Sequence, residues 1–227
     1  MGFLDGLSRG WVSIKVPGTV SPGKLRTYVR YSHEHLPPAP AYLDSWDWLR
    51  TAPAHPDSTL GQAQEQTVRN LTPHSLAELP APPVLPADFA GFVADPGLRT
   101  HLRSATWCHF DLGNHLEPVP GGQLLHLISD SQWVRHWLLY LGTDGASAVV
   151  TTRRPVGFDL DEDEEEACWD SEGWEYVRCA DTFREFAWRW WMDNEIFYRV
   201  NIDQQRPTEE QRAYIASYGT PSDIDAA

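Results

Sequence analysis

The chain has 227 residues, a formal net charge of −14, and 41% hydrophobic and 12% aromatic residues, enough to bury a core for one generous domain or one domain with an appended segment. That content excludes a wholly disordered chain, and the charge excludes a sequence-independent nucleic-acid binder, which needs clustered Lys and Arg against phosphates. An acidic surface instead suits solubility or a basic partner.

The opening MGFLDGLSRGW is too short and too polar for a signal peptide, and Gly6 stands where a myristoylation motif takes Ser or Thr. No apolar run approaches the roughly 18 residues needed to span a bilayer. A cytoplasmic protein without membrane attachment is expected. Cys108, Cys168 and Cys179 form no CxxC pair and fit reduced thiols in that compartment.

Residues 11–16 (WVSIKV) and 24–31 (KLRTYVRY) are β-prone and flank PGTVSPG, predicting a hairpin with a long loop. Arg9, Lys15, Lys24, Arg26 and Arg30 make this opening basic. A Pro/Ala-rich stretch follows, broken by an aromatic patch at Trp46 and Trp48. Residues 59–70 carry a helical pattern, and LPAPPVLP at 79–86 reads as a stiff connector. The expected organisation is an N-terminal extension over 1–83, a core over 84–203, and a C-terminal helix and tail over 204–227.

Within that core, Phe89, Phe92 and Val93 fall at helical spacing, and Pro96 starts a second short helix. ATWCHFDL (105–112) and GQLLHLISD (122–130) read as strands. SQWVRHWLLYLGTDGASAVVTT predicts a hairpin around Gly142-Thr143-Asp144-Gly145. Its first arm places Trp133, Arg135, Trp137, Leu139 and Leu141 on one face, with Val134, His136, Leu138 and Tyr140 on the other. Both faces are mostly apolar, as in a central strand covered twice.

From Asp159 to Glu175 there are ten acidic residues and no basic one, so self-repulsion predicts a solvated loop. Trp174, Tyr176 and Arg178 then alternate with Glu175, Val177 and Cys179, predicting a last strand. Helices are expected over 181–199 and 208–218, the second with Thr208-x-x-Gln211 as a capping box and Gly219 and Pro221 as its stop. In the first, Phe183, Phe186, Ala187, Trp190, Asn194 and Phe197 share one stripe, the face of a helix laid on a sheet. Trp188 is expected at its partly covered border. Asn194, amid apolar neighbours, reads as a structural hydrogen-bonding group.

Trp137-Leu138-Leu139-Tyr140-Leu141, the Asp144-Gly145 turn, Cys179-Ala180-Asp181-Thr182-Phe183-Arg184-Glu185-Phe186 and Asp193-Asn194-Glu195-Ile196-Phe197-Tyr198 follow one another in order. With LPADFAGFV at 85–93, this order and spacing resemble the SMI1/KNR4 family, or SUKH superfamily, over about residues 84–200. The acidic insert and the first 75 residues depart from the family pattern. The resemblance implies an α+β fold with a mostly antiparallel, curved sheet flanked by helices. It also implies a protein of the kind that neutralises bacterial toxins, often nucleases, with no family-wide catalytic set.

The residues themselves carry no catalytic signature. His33-Glu34-His35 lacks helical zinc spacing; His109 and Asp111 share a strand face, with His126 and His136 on nearby strands, but no Cys or His pair has zinc-finger spacing. DLDEDEEE lacks the EF-hand order, and there is no G-x-S-x-G, P-loop or G-x-G-x-x-G. No enzyme, metal or cofactor is expected. The reading is a bacterial binding protein whose partner is a protein, a basic nuclease toxin on the resemblance, with no direct contact to nucleic acid. The alternatives are a regulatory or scaffold module without a toxin, and an enzyme with a cleft between the N-terminal segment and the sheet. The expected binding face joins Asp161, Glu162, Asp163, Glu164, Glu165 and Glu166 to Trp169 and Trp174. Against it stand a merely solvated acidic loop and an inward-facing Trp174.

Overall fold

The computed structural model describes residues 2–17, 27–60, 71–79, 83–158 and 176–218; of the helical pattern expected at 59–70, residues 59 and 60 form a turn and the rest lies outside them, as does the acidic run at 159–175. Among the described residues, eight strands form one sheet: β1 (Ser8–Ile14), β2 (Tyr28–Ser32), β3 (His109–Phe110), β4 (Glu117–Val119), β5 (Gly122–Ser129), β6 (His136–Gly142), β7 (Ser147–Thr152) and β8 (Val177–Ala180). Their order is β2-β1-β8-β7-β6-β5-β3, with β4 pairing on β5. Every pairing is antiparallel except that of β1 with β8. Helices α1 (Asp47–Arg50), α2 (Pro73–Ala77), α3 (Ala87–Ala94), α4 (Phe183–Phe197) and α5 (Glu209–Ser217) flank the sheet. The expected α+β class and mostly antiparallel sheet are those of the structure.

Strand alternation creates two covered faces. From β6, Trp137, Leu139 and Leu141 enter the main core, while Leu138 and Tyr140 enter a smaller one with Leu124, Val150 and Val156. Phe3 closes the smaller face, stacking 5.6 Å from Tyr140 and meeting Tyr176 edge-on. The β6–β7 loop turns where Gly145 takes φ +85°, a left-handed conformation that glycine adopts without steric penalty. β6 starts at His136 rather than at Trp133. Asp130 holds residues 130–135 as a loop: its amide donates to the Arg135 carbonyl, its carbonyl accepts from Trp133 N, and its carboxylate accepts from Gln132 N. Trp133 therefore leaves the face expected for it. Likewise, only His109–Phe110 of the strand expected over 105–112 belongs to β3.

A single main core runs from Trp11 to Tyr218, across the boundaries expected at 83/84 and 203/204. The N-terminal hairpin is part of the sheet, with β1 lying between β2 and β8. Helix α4 begins at Thr182, whose hydroxyl accepts from Glu185 N, and it is buried almost all round. Phe183, Phe186 and Trp190 are 1%, 2% and 6% exposed, and Trp190 meets Trp137 edge-on at 5.0 Å. Asn194 bonds as its sequence context required: its carbonyl accepts from Ala105 N and its amide donates to the Trp190 carbonyl. Trp188 departs from expectation, at 4% exposure rather than at a partly covered border. The reason is α5, whose Tyr214 packs on the Trp188 ring, while Tyr42 OH accepts from the indole N–H.

Asp193 joins these pieces. Its Oδ2 accepts from Trp11 Nε1 (2.6 Å) and from the Ser13 hydroxyl, and its Oδ1 accepts from Tyr214 OH (2.9 Å) and Tyr218 OH (2.8 Å). One wholly buried carboxylate thus ties β1, α4 and the α5 segment together.

Candidate functional site

Because β3 and β5 run antiparallel, with His109 opposite Ser129, the loop entering β3 and the loop leaving β5 emerge at the same end of the sheet. Each loop presents a tryptophan to solvent, Trp107 at 70% and Trp133 at 43% exposure, and Val134 is half exposed beside the second. Both tryptophans hold φ of +59°, a conformation that bulky L-residues rarely adopt. Such strain persists only where the surroundings over-determine the backbone. Here they do. Ser104 Oγ accepts from the amides of Thr106 and Cys108, the Ser131 hydroxyl donates to the Thr106 carbonyl, and Tyr28 OH reaches both Thr106 and Asp130. Burial and the Asp130 carboxylate push Tyr28 well above the usual phenol range, keeping it a donor.

Beneath the Trp133 loop lies a buried polar cluster. A bulge at Leu127 shifts the β5 register between His126 and Ile128, so His126 and Ser129 reach the same face, opposite Leu138 and His136. His126 Nδ1 donates to the Asp111 carbonyl (2.5 Å) and His136 Nε2 to the Trp133 carbonyl (3.0 Å). The remaining ring nitrogens, His126 Nε2 and His136 Nδ1, face each other at 3.1 Å. Ser129 Oγ stands 3.0 Å from Asp111 Oδ2, 3.3 Å from His136 Nδ1 and 3.5 Å from His126 Nε2. Phe158 meets the His126 ring edge-on and also packs on Trp133. Ser129, His126 and His136 are inaccessible to solvent and Asp111 almost so. Burial pushes His126 down to about 3, His136 down to about 4, and Asp111 up to about 6. His109, also lowered by burial, lies 3.9 Å from the Asp111 carboxylate.

Serine, histidine and aspartate in contact resemble a hydrolytic set, but a fully buried hydroxyl offers no substrate access. No group of three or more His, Cys, Asp or Glu among the described residues is disposed to hold a metal. Cys108 and Cys179 are buried free thiols, raised to about 11 and about 12 by burial. They are poor nucleophiles in that state. His33 and His35 sit on an exposed 3-10 turn, apart from this cluster.

The expected binding residues Asp161, Glu162, Asp163, Glu164, Glu165, Glu166, Trp169 and Trp174 lie outside the described residues. Sequence reasoning brought His109, Asp111, His126 and His136 to neighbouring strands, and the structure joins them. It missed Trp107, assigned to a strand, and misplaced Trp133. The usable signal was Ser131-Gln132, two polar residues that interrupt the apolar alternation before Trp133. No helix among the described residues is long and apolar enough to cross a membrane. No family model matches this chain, and no curated protein or solved structure matches it.

Proposed function

We propose that this is a non-enzymatic binding protein of SMI1/KNR4 type, an immunity protein that neutralises a cognate bacterial toxin through the surface carrying Trp107, Trp133 and Val134. The observation that carries the binding reading is the exposure of two tryptophans in left-handed backbone on loops that hydrogen bonds hold rigid. Large exposed aromatics are the side chains most often found at the energetic centres of interfaces. Rigid loops reduce the ordering entropy lost on association. The toxin reading rests on the family resemblance and on charge. Phe158, packed on Trp133, is followed in sequence by the acidic run, so the chain that continues from this apolar anchor carries charge complementary to a basic partner.

The test uses the polypeptide encoded beside this gene, expressed alone and together with this chain. Growth arrest by that polypeptide, relieved on co-expression, is the expected result. In surface plasmon resonance, Trp107→Gly and Trp133→Ala are each expected to weaken binding at least about tenfold, the scale of one hot-spot side chain. A partner that binds both variants as tightly as the parent protein would remove the tryptophan surface from the reading. The absence of both arrest and binding would remove the toxin.

A further inference from the structure

The cluster under Trp133 contains more acceptors than hydrogens. A carbonyl oxygen can only accept, so the Asp111 carbonyl fixes the proton of His126 on Nδ1, and the Trp133 carbonyl fixes that of His136 on Nε2. The two nitrogens that face each other at 3.1 Å are then both lone pairs when the rings are neutral. Asp111 Oδ2 is a third acceptor at the same point, and among the described residues the only hydrogen within reach of all three is that of the Ser129 hydroxyl. A carboxylate with two neutral imidazoles leaves at least one buried acceptor facing another, which a dry interior penalises heavily.

One additional proton eases this. Placed on Asp111, it makes a chain in which the acid donates to Ser129 Oγ and the Ser129 hydroxyl is freed to lie between the two imidazole lone pairs. Placed between the rings, it makes an imidazolium pair whose charge the Asp111 carboxylate balances through Ser129. Both arrangements are neutral overall and differ only in where the proton sits.

We infer that Asp111, Ser129, His126 and His136 form a buried site that holds one proton in common at neutral pH, and that this proton keeps Trp133 in place. The lowered values of the two imidazoles favour the first arrangement. Burial raises Asp111 while the Ser129 hydroxyl, as donor, pulls it back. With that hydroxyl turned to the imidazoles, the one contact that lowers Asp111 is gone. The other titratable groups facing the cluster are His109 on β3 and Asp130 and Arg135 on the β5–β6 loop. When the shared proton leaves, a ring must turn to bring an N–H between the facing nitrogens. His126 is enclosed, with Phe158 against it; His136 is the ring whose other bond is to the Trp133 carbonyl. Release of the proton therefore loosens the Trp133 loop.

The sign of the pH dependence follows. The unfolded chain releases this proton, since free Asp titrates near about 3.9 and free His near about 6.5. The native state binds one proton more, so stability falls as pH rises above about 6.5, until the folded site titrates. Within that window the unfolding constant attributable to this site rises up to about tenfold per pH unit.

The decisive measurement is NMR of the whole chain labelled in histidine nitrogen and aspartate carboxyl carbon. At pH 7, either a protonated Asp111 with two neutral rings of opposite tautomer, or an ionised Asp111 with one imidazolium, is the expected result. An ionised Asp111 with two neutral rings overturns the inference. On raising the pH, the Trp133 amide is expected to shift with the same midpoint as the cluster; an amide that stays still overturns the coupling. Asp111→Asn, whose amide donates to Ser129 permanently, is expected to lose the decline in stability between pH 7 and 9 seen in the parent protein. An unaltered decline in that variant overturns the assignment. None of these readouts requires a binding partner, so they stand or fall separately from the proposed function.

Discussion

Asp193 and Asp111 each sit at the centre of a buried polar cluster, but they are partnered in opposite ways. Asp193 receives four donors, from Trp11, Ser13, Tyr214 and Tyr218, and the two tyrosine hydroxyls also stand 2.8 Å from each other. Asp111 shares a single hydroxyl with two imidazole lone pairs. Donor excess around a carboxylate makes a joint between elements: β1, α4 and the α5 segment close on it. Acceptor excess makes a proton site, and this one lies under the loop that presents Trp133. Both are wholly or almost wholly buried and burial raises both, so what distinguishes them here is the number of hydrogens around each.

The sharpest way to break that contrast is to remove the joint. Asp193→Ala leaves an indole N–H and three hydroxyls buried around an absent acceptor. Each unsatisfied group costs about 1–3 kcal/mol, so a loss of at least about 3 kcal/mol in urea unfolding is expected. A loss below about 1 kcal/mol would show that water or a neighbour replaces the carboxylate, and the joint would be no joint. Ser129→Ala, by contrast, removes the one hydroxyl from a cluster that already lacks hydrogens. Its expected loss is smaller, about 1–2 kcal/mol, because the partners left behind can still share the proton. If Ser129→Ala proved as damaging as Asp193→Ala, the two clusters would be alike and the contrast false.

These two clusters also mark where the sequence was legible. The β6–β7 hairpin, the α4 stripe, the α5 capping box and the hydrogen-bonding role of Asn194 are all local in origin, set by periodicity or by a short motif. The hairpin expected from 11–16 and 24–31 is present as the antiparallel pair β1 and β2, with residues 24–26 outside the described residues, but nothing local says that β1 pairs in parallel with β8. Trp188 is more buried than its place on the stripe predicts for the same reason: its cover, Tyr214, comes from a separate helix. Asp193 is next to Asn194 in the sequence, but no local pattern marks it, since its four donors come from positions 11, 13, 214 and 218. The histidine cluster was half visible as alternating strand positions. The Leu127 bulge that puts Ser129 on the His126 face has no sequence signal, and neither do the left-handed conformations of Trp107 and Trp133.

At the surface the expected effects on stability become small or change sign. Trp107 is mostly exposed and strained, so Trp107→Gly removes an unfavourable φ and little packing. The greater backbone entropy of unfolded glycine works against that gain. The folded protein is expected to keep its stability or gain up to about 1 kcal/mol, while partner binding weakens. A thermal melt lowered by several degrees would show that Trp107 is packed and not presented, and would remove it from the interface.

The smallest expected effect on stability, and a large one on rate, belongs to the acidic run. Asp161, Glu162, Asp163, Glu164, Glu165 and Glu166 are six consecutive like charges, whose mutual repulsion opposes compaction. Replacing them with Asn and Gln is therefore expected to leave the urea midpoint within about 0.5 kcal/mol of its original position. If the partner is basic, those carboxylates act mainly before contact, through a field that is screened over about 8 Å at physiological salt. Association with the partner is then expected to slow at least about tenfold at low ionic strength, and its salt dependence to flatten. Trp169→Ala and Trp174→Ala are expected to act on dissociation instead, because buried aromatics hold a formed complex and do not steer its formation. Trp174 has a competing assignment as an inward residue just before β8, which would appear as lost stability with binding intact. Stopped-flow association at several salt concentrations, with a melt of each variant, separates these outcomes. An association rate indifferent to all six substitutions would falsify the acidic run as a steering element and leave binding to the tryptophan surface alone.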